Sequence, residues 1–175
     1  SVHLLRHPLS EDRGDTPVIR IIGLGSPFGD DRVGWHVIEL LQGRLDAQVD
    51  LVTLDRPGAA MINWMAGVQR LVIIDALASG QPPGHIARLT AADLDSQTGG
   101  TSSHQLDLAQ TFELACALDC LPDQVEIYGI EIDTLQSAEL SRPVMDAAAT
   151  LARRLAGSFS TAANEPQAAV DSIGV

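Results

Sequence analysis

The sequence predicts a single α/β domain: a five-stranded, mostly parallel sheet with one antiparallel strand and helices on both faces. Short apolar runs alternate with longer segments of helical periodicity, and this alternation favours a parallel sheet over a bundle or a sandwich. The length of 175 residues fits one domain. One connection between strands is too short for a crossover helix, so the strand after it is expected to run antiparallel.

The order of the elements follows from the two kinds of apolar pattern. Apolar runs predict strands at Val18–Gly23, Val49–Leu54, Leu71–Asp75, His85–Leu89 and Gln124–Ile130. Apolar residues at helical spacing predict helices at Arg32–Leu45, Ala59–Gly67, His104–Leu118 and Leu140–Ala156. Residues 17–156 are expected to form the α/β domain, preceded by a flexible arm (residues 1–16) and followed by a disordered tail (residues 157–175).

The antiparallel strand is predicted from the chain between the third and fourth strands. Only nine residues separate Asp75 from His85, whereas a crossover between parallel neighbours needs about a dozen or more. The stretch from Thr90 to Ser103, which contains Gly99-Gly100, is predicted to be a long mobile loop that closes over the site.

The charge, the apolar runs and the cysteine count exclude several classes of function. The formal net charge of −12 argues against a nucleic-acid partner, because such proteins need a basic surface. No apolar run approaches the ~20 residues of a membrane span. The two cysteines cannot form a disulfide framework, which indicates a cytoplasmic protein. We also expect the protein to be a monomer.

The turn after the first strand is unusual because it carries two carboxylates. Residues 23–31 read GLGSPFGDD and lead directly into a helical segment. A glycine-rich turn at a helix start normally attracts anions, because its N–H groups and the helix dipole favour negative charge. Asp30 and Asp31 supply that negative charge from the protein itself. The turn is therefore predicted to attract a metal cation and to repel a phosphate.

Three candidate metal ligands are expected to meet at one edge of the sheet. Asp31 follows the first strand, Asp75 ends the third, and His104 opens the helix that leads to the fifth. In open α/β sheets, ligands bind beyond the carboxyl ends of the strands, where the strand order reverses. Two carboxylates and an imidazole suit a divalent first-row metal ion. Taken singly, the three residues have plainer explanations as a helix-terminal charge, a turn cap and a surface residue.

Three motifs together carry a resemblance to a known family. Residues 23–31 (GLGSPFGDD), 73–76 (IIDA) and 102–108 (SSHQLDL) resemble the maturation endopeptidases of nickel–iron hydrogenases, and the similarity runs from about Val18 to Leu155. The resemblance implies a five-stranded mixed sheet between helices. It also implies that Asp31, Asp75 and His104 are both the metal ligands and the catalytic residues.

The same resemblance implies the reaction. Members of this family remove a C-terminal extension from the hydrogenase large-subunit precursor after nickel has been inserted into it. The precursor is thus the expected partner, and nickel is the metal that is recognised in the substrate. Another divalent first-row metal could occupy the same ligands in the isolated protein.

Several departures from the family pattern leave choices open. The first loop is one residue shorter than usual, so either Asp30 or Asp31 could be the ligand, and we favour Asp31. Arg32 stands where the family has glycine, and residues 55–58 read DRPG instead of the common DGGT. The roles of Arg32 and of residues 55–58 stay open, as does the identity of the large subunit.

The sequence lacks a plausible protein nucleophile. No G-x-S-x-G motif is present. Cys116 and Cys120 are spaced i, i+4 in an apolar helical segment and are predicted to pack in the core. A peptidase of this kind needs a metal to activate water or to polarise the scissile carbonyl. Whether the metal catalyses or only reports nickel loading is left open.

Two other functions remain as alternatives. A non-enzymatic nickel-binding maturation chaperone would use the same three ligands without cleavage. A dinucleotide-binding oxidoreductase would explain Gly23, Gly25 and Asp55, the acidic residue after the second strand. Against that reading, Phe28 occupies the position of the third glycine, and the pair of aspartates opposes a pyrophosphate.

Overall fold

The computed structural model describes residues 18–95, 103–133 and 139–160, without the side chains of residues 91, 95 and 103–106. Its strands are β1 (Ile19–Leu24), β2 (Val49–Leu54), β3 (Arg70–Leu77), β4 (Ile86–Leu89) and β5 (Gln124–Glu131). Its helices are α1 (Val33–Leu41), α2 (Ala59–Ile62), α3 (Ala91–Asp95), α4 (Ser103–Ala117) and α5 (Arg142–Ser158).

The strands form one sheet in the order β2-β1-β3-β5-β4. β1 pairs in parallel with β2 and β3, and β3 pairs in parallel with β5. β4 pairs with β5 in the antiparallel direction. The predicted mixed sheet and its single antiparallel strand are confirmed.

Strand β3 lies at the centre and separates two apolar cores. Its side chains point alternately to opposite faces, as the strand period of two requires. Val72 and Ile74 pack in the core formed with α1 and α5, whereas Leu71 and Ile73 pack in the core on the face of α2 and α4. All residues of β3 after Arg70 are buried, as expected for a strand covered on both faces. The domain therefore has three layers.

Two glycines allow α1 to lie very close to the sheet. A Cβ on Gly34 would lie 2.7 Å from the carbonyl oxygen of Ile74 and closer still to that of Leu24. A Cβ on Gly23 would collide in turn with the backbone of Gly34. The backbones of β1, β3 and α1 therefore meet directly, and this contact fixes the start of α1 above the edge between β1 and β3.

Two helices are shorter than the sequence predicts. α1 ends at Leu41 because Gly43 adopts a φ of 73°, a left-handed position that terminates helices. α2 ends at Ile62, and the chain then turns until Gly67, which also has a positive φ of 72°. Apolar residues at helical spacing continue beyond both points, so periodicity alone overestimated the two lengths.

The predicted loop from Thr90 to Ser103 contains a short helix, α3. The backbone N–H and the hydroxyl of Thr90 donate to Oδ2 of Asp93 at 2.6 and 2.7 Å. These hydrogen bonds, the backbone one foremost, lower the pKa of Asp93. Gly99-Gly100, on which the predicted closure depends, lies outside the described residues.

Residues 157–160, the first part of the predicted tail, are ordered and packed on the domain. Helix α5 continues to Ser158, and Phe159 is buried in the core with an exposed fraction of 6%. The carbonyl of Phe159 accepts a hydrogen bond from the backbone N–H of Asp46 at 3.3 Å. Aromatic burial thus extends the packed structure beyond the predicted boundary. In the described ranges, no helix has both the length and the apolar character needed to cross a membrane.

Candidate functional site

The strand order reverses between β1 and β3, and two of the predicted ligands lie there. Gly23 of β1 is paired with Ile74 of β3, so Asp75 lies one residue beyond this pair, level with the end of β1. The 3₁₀ turn Gly29–Arg32, which carries Asp31, contacts β3. The structure therefore places Asp31 and Asp75 at the same edge of the sheet, as the sequence predicts.

Asp75 is held inside a strand. The sequence predicts that it ends the third strand, but β3 continues through Leu77, so this boundary was wrong by two residues. The carboxyl group is nearly buried, with an exposed fraction of 5%. Its Oδ1 accepts a hydrogen bond from the backbone N–H of Ala76 at 2.8 Å. A carboxylate on a central strand has a well-defined position, which suits a metal ligand.

The adjacent residues Asp30 and Asp31 have different environments. Asp30 is fully buried, and its oxygens accept hydrogen bonds from the backbone N–H of Asp133 at 2.8 Å and from that of Ser141 at 2.6 Å. The Ser141 hydroxyl donates a further bond at 2.8 Å. Asp31 is only half-buried. Asp30 thus connects the turn to the end of β5 and the start of α5, which leaves Asp31 as the candidate ligand.

The third predicted ligand, His104, lies in the first turn of α4, which begins at Ser103. Because α4 precedes the parallel strand β5, its first turn lies at the edge where the parallel strands end. The His104 side chain lies outside the described residues, so its approach to Asp31 and Asp75 stays a prediction. Among the side chains that the structure describes, no three His, Cys, Asp or Glu residues are grouped to hold a metal ion.

The N–H groups of the glycine-rich turn are used within the protein. The N–H of Gly25 donates to the carbonyl of Leu54 at 3.1 Å, and the N–H of Ser26 donates to that of Asp31 at 3.3 Å. The indole N–H of Trp35 also donates to Leu54, at 3.0 Å. A pyrophosphate would need such donors itself. This hydrogen bonding disfavours a dinucleotide site.

Sequence reasoning missed a third buried carboxylate, that of Glu131 at the end of β5. Its exposed fraction is 2%. It accepts bonds from the backbone N–H groups of Ser79 and Gly80 at 2.7 and 2.8 Å, and from the Ser79 hydroxyl at 2.8 Å. The signal was available, because Glu131 follows apolar residues in the sequence, as Asp75 does. Glu131 holds the turn between β3 and β4.

The residues that depart from the family pattern are partly explained. Arg32 donates to the carboxylate of Glu39 on α1 at 3.1 Å, so it forms an exposed ion pair on its own helix face. Asp55 and Arg56 are exposed, Pro57 is buried, and Gly58 has a φ of 131° before α2. A positive φ of this kind favours glycine.

The predicted core packing of the two cysteines was wrong for Cys116, which is exposed, and only partly right for Cys120, which is half-buried. Leu114 and Leu118 are exposed as well, so no element in the described ranges covers the outer face of α4 at this point. Apolar residues do recur at helical spacing in this segment, but several of them face outward and form an apolar surface. The Cys120 thiol donates to the carbonyl of Ala115 at 3.5 Å.

Comparisons with known proteins agree with this architecture. A family model described as HycI, hydrogenase maturation protease, matches residues 35–158, which is most of the chain. No curated protein matches in a direct sequence comparison.

Solved structures of similar fold carry related names. Hydrogenase maturating endopeptidase HybD from Escherichia coli is 24% identical, with a TM-score of 0.68 over 81% of this chain and 93% of that one. The maturation protease HycI from Thermococcus kodakarensis is 20% identical, with a TM-score of 0.68 over 82% and 92% of the two chains. These two similarities support the fold. On the strength of the family model, the chain belongs to the hydrogenase maturation protease family.

Proposed function

We propose that this protein is an endopeptidase that removes the C-terminal extension of a nickel–iron hydrogenase large-subunit precursor after nickel insertion. The observation that carries the proposal is the placement of Asp31 and Asp75 at one edge of the sheet, beside the reversal in strand order. Membership of a family of hydrogenase maturation proteases gives the reaction class.

Asp31, Asp75 and His104 are proposed to contact the nickel of the precursor. Two carboxylates and an imidazole form a donor set that suits a divalent first-row metal. The half-buried Asp31 is accessible to the substrate, whereas Asp75 is held in β3 with one oxygen bonded to the Ala76 N–H. Nickel bound there would supply a Lewis acid for the scissile carbonyl or for water.

The positions of the cysteines support a mechanism without a thiol nucleophile. Cys116 lies thirteen residues after Ser103, the first residue of α4. At about 1.5 Å per residue, this separation is about 20 Å along the helix axis. Cys120 follows beyond the helix, and it is farther still along the chain. Both thiols are therefore at the opposite end of α4 from the proposed site.

The test is a comparison of two substrates. The purified protein is incubated with nickel-loaded and with nickel-free large-subunit precursor, and each product is weighed by mass spectrometry. We expect the mass of the extension to be lost only from the loaded precursor. Tight binding of the loaded precursor without cleavage would instead support the nickel-binding chaperone, and no interaction with either form would contradict both functions.

A further inference from the structure

A groove of about 350 Å³ lies between the segment that begins α2 and the outer face of α4. Pro57, Gly58 and Ala59 form one wall, and the other wall includes Asp107 and Leu114. We call it the α2–α4 groove. Its first wall follows directly after β2, so the groove opens at the same sheet edge as the proposed site. Asp107 lines the groove and lies one helical turn after His104, the third proposed metal ligand.

The groove continues into an exposed apolar surface on α4. Leu118 follows directly after α4, and its backbone N–H donates to the carbonyl of Leu114 at 3.0 Å, so the two leucines lie on the same side of the helix end. Their exposed fractions are 47% and 59%. The Thr111 hydroxyl, between Asp107 and Leu114, donates to the carbonyl of Asp107 at 2.6 Å, so it is satisfied within the helix. The groove thus offers an apolar strip, formed by Leu114 and Leu118, and one carboxylate, that of Asp107, nearer the start of α4.

The charge of this region favours a basic partner. Residues 103–123, which form α4 and the turn after it, contain four acidic residues (Asp107, Glu113, Asp119 and Asp123) and no Lys or Arg. Of the lining residues that the structure describes, Asp107 alone is charged, and the neighbouring Asp55 and Arg56 offset each other. Within the described part of the chain, no hydrogen bond or ion pair is formed by the half-buried Asp107 carboxylate. Such a surface attracts cationic groups and raises association rates.

We propose that the α2–α4 groove binds a segment of the hydrogenase precursor that flanks the cleaved bond. In this complex the segment presents a basic side chain to Asp107 and apolar side chains to Leu114 and Leu118. This docking site rests on the proposed function, and it would allow the protein to distinguish its own precursor from others. The lining residues that the structure describes include neither Asp31 nor Asp75, so the groove contributes to substrate affinity and not to the chemical step.

Two groove variants and two matched controls test the proposal. Asp107→Asn removes the charge at constant size, with Asp123→Asn as an exposed acidic control in the same acidic region. Leu114→Gln/Leu118→Gln removes the apolar strip, with Met145→Gln on α5 as a control whose exposed fraction is 42%. Thermal unfolding is measured for all variants to verify that each one is folded.

Binding and cleavage are measured separately. Calorimetry with nickel-free precursor at two salt concentrations reports affinity, and steady-state cleavage of nickel-loaded precursor reports KM and kcat. We expect the double leucine variant to raise Kd and KM at least tenfold, and Asp107→Asn at least fivefold with a weaker salt dependence, because a charged contact is screened by salt. The kcat of both variants, and all constants of the two controls, should stay within twofold of the parent.

The outcomes separate this inference from the proposed function. Unchanged Kd and KM in both groove variants, or equal effects in their controls, would overturn the docking site while cleavage by the parent still stands. A parent protein that binds the precursor through these residues but does not cleave it would overturn the proposed peptidase and leave the docking site intact.

Discussion

Asp30 and Ser141 are joined by two hydrogen bonds, from the Ser141 backbone N–H at 2.6 Å and from its hydroxyl at 2.8 Å. Together with the bond from the Asp133 N–H, they satisfy a carboxylate that is fully buried. The neighbouring Asp31 lies in the same turn and is half-buried. The two aspartates are therefore expected to respond to mutation in opposite ways.

The first prediction compares Asp30→Asn with Asp31→Asn. The first change replaces the buried acceptor of the three hydrogen bonds described above by an amide that cannot accept all of them, and it should lower the free energy of unfolding by about 2–4 kcal/mol. Asp31→Asn should change it by less than about 1 kcal/mol. Urea denaturation of both variants measures the difference. Equal losses would contradict the structural role assigned to Asp30.

The second prediction concerns metal binding by the isolated protein. Asp31→Ala, Asp75→Ala and His104→Ala should each weaken nickel binding at least tenfold, a change of about 1.4 kcal/mol or more. Calorimetry is performed with His3→Ala/His7→Ala in every protein, because these histidines could bind nickel themselves. If Asp30→Asn, still folded, weakens binding as much as Asp31→Ala does, the choice of Asp31 is wrong.

The third prediction concerns the cysteines. Cys116→Ala/Cys120→Ala should cleave nickel-loaded precursor at a rate within about twofold of the parent, with only a modest loss of stability at the half-buried Cys120. Alkylation of the exposed Cys116 by iodoacetamide should likewise leave the rate unchanged. A folded double variant without activity would show that a thiol takes part in the chemistry.

The fourth prediction tests the contact between α1 and the sheet. Gly34→Ala places a Cβ against the carbonyl oxygens of Leu24 and Ile74, so it should destabilise the fold by about 3 kcal/mol or more. Gly157→Ala on α5 is the control, because a Cβ there meets nothing within 4 Å. The control should be neutral or stabilise the protein by up to about 1 kcal/mol, as expected for alanine in a helix. Thermal unfolding measures both stabilities. Equal stabilities of the two variants would contradict the close contact between α1 and the sheet.

The parts of the fold that follow from local pattern were predictable. The nine-residue connection before His85 gave the antiparallel direction of β4, and parallel strand ends placed Asp31 and Asp75 at one edge. α3 was missed because it is only five residues long and is stabilised by a local capping interaction between Thr90 and Asp93.

The roles that depend on distant contacts were not predictable. Asp30 and Asp31 are equivalent in sequence, and they differ because the partners of Asp30 are more than a hundred positions away. The exposure of Cys116 depends on whether another element covers α4, and periodicity carries no such information. Glu131 was overlooked although it follows apolar residues in the sequence, as Asp75 does.

The distance between Asp30 and Ser141 along the chain, 111 residues, also bears on how the protein matures on the ribosome. The Asp30 carboxylate is synthesised 111 residues before Ser141, which donates two of the hydrogen bonds described here. Closing such a long-range contact is slow compared with forming local turns. The turn that carries Asp31 therefore reaches its final hydrogen bonding only after Ser141 has left the ribosome. An incompletely synthesised protein would contain the residues of the turn but lack the contact that holds them in place.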